Sequence, residues 1–332
     1  MSLRKKINPI LKANNDTGFG TQANQVGGRF VNKDGSFNVQ KIGLPWWERI
    51  SIYSWLLELS PLRFLGVILA FYLGENLLFT SLYLLAGSHE LQGMVATSKW
   101  GQIKEVFFFS TQTFTTVGYG RVNPQGDIAN MISSLESLSG LLTFALITGL
   151  LYGKFSRPKA YLKFSQNALI SPYRDGIALM FRMVPYKQNH HVTDAKIVVN
   201  TAFQEIENGK SVYKFYTLNL ERTRVDALNM NWTVVHPIDE DSPLLHLTED
   251  DMKSTDLELF VQVSGFDHVF SSNVMQRTSY TYKEIVWGAK FQPMYTESPD
   301  DTTTILQLNK LNVFDKVTLP VHPAVHEQIA HK

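Results

Sequence analysis

The chain has no cysteine among its 332 residues, which excludes disulfides, zinc–thiolate sites and thiol nucleophiles together. An excess of either charge is also missing. Thirty-one lysines and arginines against thirty aspartates and glutamates leave a formal net charge of +1, which gives no reason to expect nucleic acid as a partner. No Gly-x-Gly-x-x-Gly unit joins a strand pattern to a helix pattern, so a Rossmann-type nucleotide sensor is not expected. There is no nucleophile set, metal set or phosphate loop on which to build an enzyme, and no cofactor is expected. The polar N-terminus lacks the apolar core of a cleavable signal peptide. Apolar sequence is nonetheless abundant in one place. The mean hydropathy of −0.10 averages a greasy stretch from about Leu62 to Phe155 with polar sequence on either side.

Two segments of that stretch are long enough to cross a bilayer. Phe64 to Ala86 is 23 residues, or ~35 Å as a helix. Glu75 and Asn76 near its middle are costly against lipid and are expected to face protein. Ile128 to Phe155 is 28 residues, or ~42 Å, enough to cross at a tilt and emerge. Glu136 is its one internal acid, and Gly140 and Gly149 are expected to let it bend or pack closely. Arg49 and Arg63 precede the first span; Lys154, Arg157, Lys159 and Lys163 follow the second. An excess of cations at both far ends places both termini in the cytoplasm. Neither span repeats arginine every third residue, so no voltage sensor is expected.

Between the spans an amphipathic aromatic run, Trp100 to Phe114, leads into Thr115-Thr116-Val117-Gly118-Tyr119-Gly120. Thr-Val-Gly-Tyr-Gly is the known potassium-filter sequence. There, four copies aim backbone carbonyls at one axis and replace the hydration shell of K⁺. Gly118 and Gly120 reach backbone angles closed to other residues, which lets successive carbonyls point one way. The Thr116 hydroxyl adds an oxygen ring at the inner end, while Val117 and Tyr119 are expected to pack outward and brace the loop. K⁺ is thus expected at Thr116, Val117, Gly118 and Tyr119. One copy per chain requires a homotetramer with cyclic symmetry. Phe144, Thr148 and Tyr152 recur every fourth residue and share one helix face, the expected pore lining below the filter. Four Tyr152 rings on the axis make a hydrophobic constriction that closes by dewetting. The competing reading of these side chains is plain helix packing.

Outside the spans the sequence is less specific. Residues 1–28 are rich in Asn, Gly, Lys and Gln and read as a disordered tail. Arg29 to Val39 reads as a turn at Asp34-Gly35 between two short extended pieces. From Trp46 to Leu59 a Trp-rich amphipathic pattern, ended by Pro61, suits a helix lying at the membrane interface. From about Ala195 onward short β-type runs alternate with turns, at Ile197–Asn200, Val212–Leu218, Trp232–His236, Leu257–Val263 and Tyr280–Trp287, which argues for a β-sandwich. Weak site candidates there are discounted. His190 and His191 are adjacent and point to opposite faces of a strand. His326 and His331 of the His326-Glu327 stretch are five apart where a zincin needs four. Asn231-Trp232-Thr233 matches a glycosylation acceptor but lies on the cytoplasmic side. Asp239-Glu240-Asp241 is either a cation-attracting cluster or a solvated turn ended by Pro243.

Taken together these residues resemble the inward-rectifier potassium channels, of the prokaryotic KirBac kind, from about Arg29 to about Leu311. Four stretches carry the resemblance: Arg29-Phe30-Val31 with Lys33-Asp34-Gly35 and Asn38-Val39; the filter; Lys154-Phe155-Ser156-Arg157-Pro158-Lys159; and His236-Pro237-Ile238-Asp239-Glu240-Asp241-Ser242-Pro243-Leu244. Glu284-Ile285-Val286-Trp287-Gly288 is a weaker fifth. The resemblance implies two transmembrane helices plus a pore helix per subunit and an all-β immunoglobulin-like cytoplasmic sandwich, in the bacterial inner membrane. The implied division is an N-terminal segment 1–45, a slide helix 46–60 and a pore domain 61–160. Within the pore domain lie an outer helix 61–86, pore helix and filter 101–120, and an inner helix 127–157. A sandwich 161–320 and a tail 321–332 follow. By the same resemblance Tyr152 occupies the bundle-crossing gate. Arg63, Lys154, Arg157, Lys159 and Lys187 match positions that hold phosphoinositide head groups in eukaryotic relatives; the competing reading of these cations is plain positive-inside topology.

Three departures from the family pattern stand out. Phe144 replaces the cavity acid that binds Mg²⁺ or polyamines in strong rectifiers, which implies weak voltage-dependent block by such cations; Ba²⁺ remains an expected pore blocker. Gln112 stands where relatives often have Glu, and Arg121 where bacterial members often have Asp. A nonselective cation channel and a membrane-anchored β-sandwich serving as a binding module are the alternatives to a K⁺ channel.

Overall fold

The computed structural model describes residues 29–49, 51–207, 210–300 and 302–320, together with Ala13. The expected tail over 1–28 (Ala13 aside), Ile50, and the stretch holding His326, Glu327 and His331 lie outside the described residues. The chain divides into two compact units, Lys41–Arg157 and Met1–Gln40 with Pro158–Lys332.

In the first unit, the interfacial helix expected over Trp46–Leu59 is in two pieces, α1 (Trp46–Arg49) and α2 (Ile52–Glu58). Ser51 is the reason the second piece starts where it does. Its backbone is extended (φ −85°, ψ 112°) and its side chain accepts the Ser54 N–H, satisfying a donor that a helix start leaves free. α3 (Pro61–Ala86) begins with proline in its first turn, where the missing N–H costs nothing. A two-residue strand β1 (Leu91–Gln92) follows, then α4 (Lys99–Phe114), which starts on Ser98 accepting from Gly101 N. β2 (Asn123–Pro124) pairs antiparallel with β1, and α5 (Asp127–Phe155) ends the unit. α3 and α5 are both long and apolar enough to cross a membrane. Each buries a narrow stripe: Phe64, Asn76, Phe79, Thr80 and Tyr83 on α3, and Ala129, Glu136, Gly140 and Thr143 on α5. Helical spacing puts each set on one face.

The second unit is a sandwich of two five-stranded sheets. Its strands are β3 (Leu162–Phe164), β4 (Ala168–Tyr173), β5 (Gly176–Pro185), β6 (Val192–Glu207), β7 (Lys210–Thr217), β8 (Arg224–Leu228) and β9 (Trp232–Pro237). After the short helix α6 (Glu249–Ser254) come β10 (Glu258–Asp267), β11 (Ser272–Thr281) and β12 (Ile285–Trp287). One sheet runs β11-β10-β6-β7 with β8 also on β6; the other runs β12-β4-β5-β3 with β9 also on β5. Only β12–β4 is parallel among these pairs. Leu179, Phe181, Ile197, Val199, Leu259 and Val261 are among the buried residues between the sheets.

The strands β3 to β5 lie before the point where β structure is expected from sequence. Ile177 to Pro185 is buried along nearly its whole length and so lacks the polar alternation that marks a half-exposed strand. The run Tyr280–Trp287 is not one strand. A capping box between Thr281 and Glu284 turns the chain into a single helical turn before β12.

The motif His236–Leu244 is explained by one ring. His236 Nδ1 lies 2.6 Å from the Asn219 carbonyl and Nε2 2.7 Å from Ser242 Oγ. A carbonyl only accepts, so Nδ1 carries the proton and Nε2 accepts from serine. Burial holds the His236 pKa below its ordinary value. In the same loop Asp239 accepts the Asp241 N–H at 3.1 Å, so its carboxylate is used in the turn. His190, discounted above as a metal ligand, sits 2.8 Å from the buried Asp267 carboxylate and packs on Tyr161 and Phe270.

Residues 29–39 fold onto this sandwich. An antiparallel bridge joins Val31 and Phe37 across the turn, where Gly35 has φ +86° and a Cβ would sit 2.5 Å from the Arg277 carbonyl. The buried Glu258 carboxylate accepts the Phe30 and Val31 N–H groups at 2.8 and 3.2 Å. Arg29 bonds Glu284, and Lys33 Nζ lies 3.6 Å from Glu284 and 3.5 Å over the Tyr280 ring. Burial, opposed in part by Glu284, pulls Lys33 down to about 8 from 10.5. The undocked segment therefore holds a proton that the docked one has released anywhere between those values. Docking is weakest below pH 8 and strengthens as pH rises through about 8 to 10.5. Chymotryptic cleavage within residues 29–39, compared between wild type and Lys33→Met, is expected to converge between pH 7.5 and 9.5. A constant ratio of rates contradicts the linkage.

Candidate ion-conduction site

α4 delivers the chain to Thr115–Gly120, and the backbone after it is unusual. φ is positive at Thr116 (57°), Gly118 (51°) and Gly120 (81°), and not at Val117 or Tyr119. The sign of φ thus alternates along the loop, and a positive φ lies in a region that residues other than glycine rarely adopt. Two of the three left-handed positions are glycine, for which this is free. Nothing lies within 4 Å of a Cβ built at Gly118 or Gly120, so conformation rather than space requires glycine there. Thr116 is β-branched, and a residue held this way costs on the order of 1–3 kcal/mol. The loop is held by backbone bonds to the end of α4. Val117 N and Gly118 N donate to the Gln112 carbonyl at 2.8 and 3.2 Å, and Thr116 N to Thr113 at 3.1 Å. Sequence reading flagged Gln112 for its side chain; its carbonyl is what holds the loop.

Val117 and Tyr119 are 50% and 80% exposed. Within one chain they brace nothing. The outer end of the loop is tied differently. Asn123 Nδ2 donates to the Gly120 carbonyl at 2.8 Å. Arg121 pairs with Glu105 at 2.9 Å, and the other oxygen of Glu105 accepts Val95 N and Ala96 N, both at 3.1 Å. The Arg121 carbonyl also presses on Gly93, where a Cβ would sit 1.8 Å away. The Arg121 charge is thus partnered by Glu105, in a pair whose arginine side chain is 60% exposed. Sequence reading missed Glu105, since no local pattern links partners sixteen positions apart.

On α5, Phe144 and Tyr152 are 72% and 74% exposed, and Thr148 between them is exposed with its hydroxyl on the Phe144 carbonyl. All three lie off the buried stripe. Lys154 is committed: its ammonium donates to the Leu57 and Leu59 carbonyls at 3.0 and 2.6 Å, closing the C-terminal end of α2. Gly153 leaves room there for Tyr53, whose hydroxyl lies 2.8 Å from where a Cβ would be. Arg63 and Arg157 of the same unit are exposed, as are Lys159 and Lys187 of the other; Lys187 Nζ lies 5.9 Å from the Tyr161 ring.

The profile described as "Inward rectifier potassium channel C-terminal domain" matches residues 162–331, and that described as "Ion channel" matches 67–156. Inward rectifier potassium channel Kirbac3.1 of Paramagnetospirillum magnetotacticum is 33% identical over 276 residues, 82% of this chain and 91% of that one. The chain belongs to the inward rectifier potassium channel family. Inward rectifier potassium channel 4, from Homo sapiens and from Mesocricetus auratus, is in each case 31% identical over 204 residues, 58% of this chain and 45% of theirs. The sporulation control protein Spo0M of Bacillus subtilis has a TM-score of only 0.23 at 9% identity, over 41% of this chain and 58% of that one, a likeness too slight to bear on the fold. The two apolar helices and the β-sandwich are the architecture of an inward rectifier. Inward rectifiers are channels, so the chain is a membrane transport protein and not an enzyme.

Proposed function

We propose that four copies of this chain form a K⁺-selective pore with its narrow part at Thr116–Gly120. The observation that carries this is the positive φ at positions 116, 118 and 120, the alternation that a row of carbonyls turned to one axis would require. Val117 and Tyr119 are large and exposed; neighbouring copies supply their partners. Phe144 and Thr148 line the cavity and Tyr152 forms the gate. Both termini lie in the cytoplasm of a bacterium, with the spans in its inner membrane. Anionic lipid head groups bind Arg63 and Arg157 at the bilayer surface, and Lys159 and Lys187 offer further cations; Lys154 contributes less, its charge being spent on α2. Ba²⁺ blocks the pore, while Mg²⁺ and polyamines block weakly.

The test is ⁸⁶Rb⁺ uptake into liposomes holding purified protein and a large outward K⁺ gradient. Uptake sensitive to external Ba²⁺ is expected, and Gly118→Asp, which puts a side chain at φ +51°, is expected to abolish it. Ba²⁺-sensitive uptake undiminished in Gly118→Asp overturns the assignment of the filter. If wild type takes up nothing, Tyr152→Ala separates a shut gate, which then leaks, from the absence of a pore.

A further inference from the structure

Behind α4, on the side away from the conducting loop, three helices each contribute buried polar groups. Asn76 and Tyr83 come from α3, Ser110 from α4 and Glu136 from α5. Asn76, Ser110 and Glu136 are fully buried and Tyr83 is 1% exposed. The Glu136 carboxyl group accepts from Ser110 Oγ and from Tyr83 Oη, the latter at 2.7 Å. Ser110 Oγ also lies 3.2 Å from the Asn76 carbonyl, and the Tyr83 ring meets Phe109 edge-on at 5.1 Å.

An acid in a membrane-crossing helix is expensive, and its burial needs hydrogen-bonded partners. Apolar packing would join three helices at less cost, so this group must do something packing does not. Its geometry indicates what. Ser110 and Gln112 are two residues apart near the end of α4. The side chain of one meets Glu136, and the carbonyl of the other, which points along the helix axis toward its C-terminal end, holds the Val117 and Gly118 amides. One turn further along both helices, Gly140 receives the Phe114 carbonyl in close contact. The α4–α5 seam therefore has two points, a steric one that sets distance and a directional one that sets rotation. Glu136 supplies the second.

Resting on the pore reading above, we infer that Glu136 is a positioning residue for ion selectivity. It fixes the rotation of α4 through Ser110, and so fixes the carbonyl that shapes the inner half of the conducting loop. Losing it leaves α4 seated by shape alone, with Ser110 free to turn to Asn76.

The experiment measures the ratio of ⁸⁶Rb⁺ to ²²Na⁺ uptake in liposomes, with tetramer assembly checked by size exclusion. Glu136→Leu and Ser110→Ala are each expected to lower the ratio about tenfold with assembly unchanged, and the double variant to be no worse than the worse single one, since both remove the Ser110–Glu136 bond (Glu136→Leu removes the Tyr83 bond as well). Glu136→Gln keeps an acceptor for Ser110 and is expected to stay within about threefold of wild type. If Glu136→Leu fails to assemble, Ser110→Ala, which only removes a hydroxyl, decides together with Glu136→Gln. Ratios within about twofold of wild type in the assembling variants that lack the Ser110–Glu136 bond, or losses that multiply in the double variant, overturn the inference. A wild type that shows no preference for rubidium overturns the pore reading beneath it instead.

Discussion

Gly140→Ala is expected to abolish conduction and reduce tetramer yield, whereas Gly149→Ala leaves both unchanged. The two glycines look equivalent in the sequence, each interrupting the second span. In the structure a Cβ at 140 would sit 2.0 Å from the Phe114 carbonyl oxygen and 2.9 Å from its carbon, while nothing lies within 4 Å of one at 149. The obstacle at 140 is backbone, so no rotamer change relieves it. α4 has to retreat by on the order of 1 Å, and overpacking of this kind commonly costs about 1–3 kcal/mol. The damage to function is expected to exceed that figure, because α4 carries on its end the loop proposed to conduct. At 149, alanine gains up to about 1 kcal/mol of helix propensity. ⁸⁶Rb⁺ uptake and tetramer fraction, measured side by side, check this. Wild-type uptake in Gly140→Ala would show that the close approach does not seat the pore helix.

Phe144→Asp is expected to convert weak rectification into steep, voltage-dependent block by Mg²⁺ and polyamines from the cytoplasmic side. Phe144 lies on the exposed face of α5 one turn before Thr148 and two before Tyr152. In a fourfold pore it places apolar rings where a blocking cation would rest. Four carboxyl groups at that level do not all ionise, since like charges raise one another's pKa. Even so, one charge pair at an effective dielectric near 20 is worth about 4 kcal/mol at 4 Å. Half of that strengthens block more than tenfold. Current–voltage relations in symmetric K⁺, with and without spermine on the cytoplasmic face, distinguish the two proteins. Steep rectification in wild type removes the assignment of Phe144 to the cavity.

What could be read from the sequence followed from local rules. The spans are runs of apolar residues whose length alone matters, and Thr116–Gly120 is a short contiguous motif. The turn at Asp34-Gly35 was visible because two residues fix its chemistry. The docking of that turn on Glu258 and Glu284 was not, since those partners lie more than two hundred positions away. Long-range pairing hid the Glu105–Arg121 pair and the Glu136 network in the same way: each acid looked like an isolated charge until the helices were placed. The β4–β5 hairpin failed for another reason. Burial on both faces erased its alternation, and the residue at φ 51° in its tight turn is Arg174, so the neighbouring Asp175-Gly176 had no extended alternating runs beside it to mark a hairpin.

The seat of Lys154 on the Leu57 and Leu59 carbonyls bears on what a bilayer does to this protein. The lysine is two residues beyond Tyr152, and the short helix it closes carries exposed Ile52, Tyr53 and Trp55, the side chains that anchor a helix among lipid head groups. The last turn of the inner span and this short helix are thus tied together by two hydrogen bonds. If the helix lies among head groups and Tyr152 forms the gate, as proposed, thinning or lateral tension in the membrane would pull on the helix, and the tie would pass that pull to the Tyr152 ring. The proposed pore would then be coupled mechanically to the lipid at its rim.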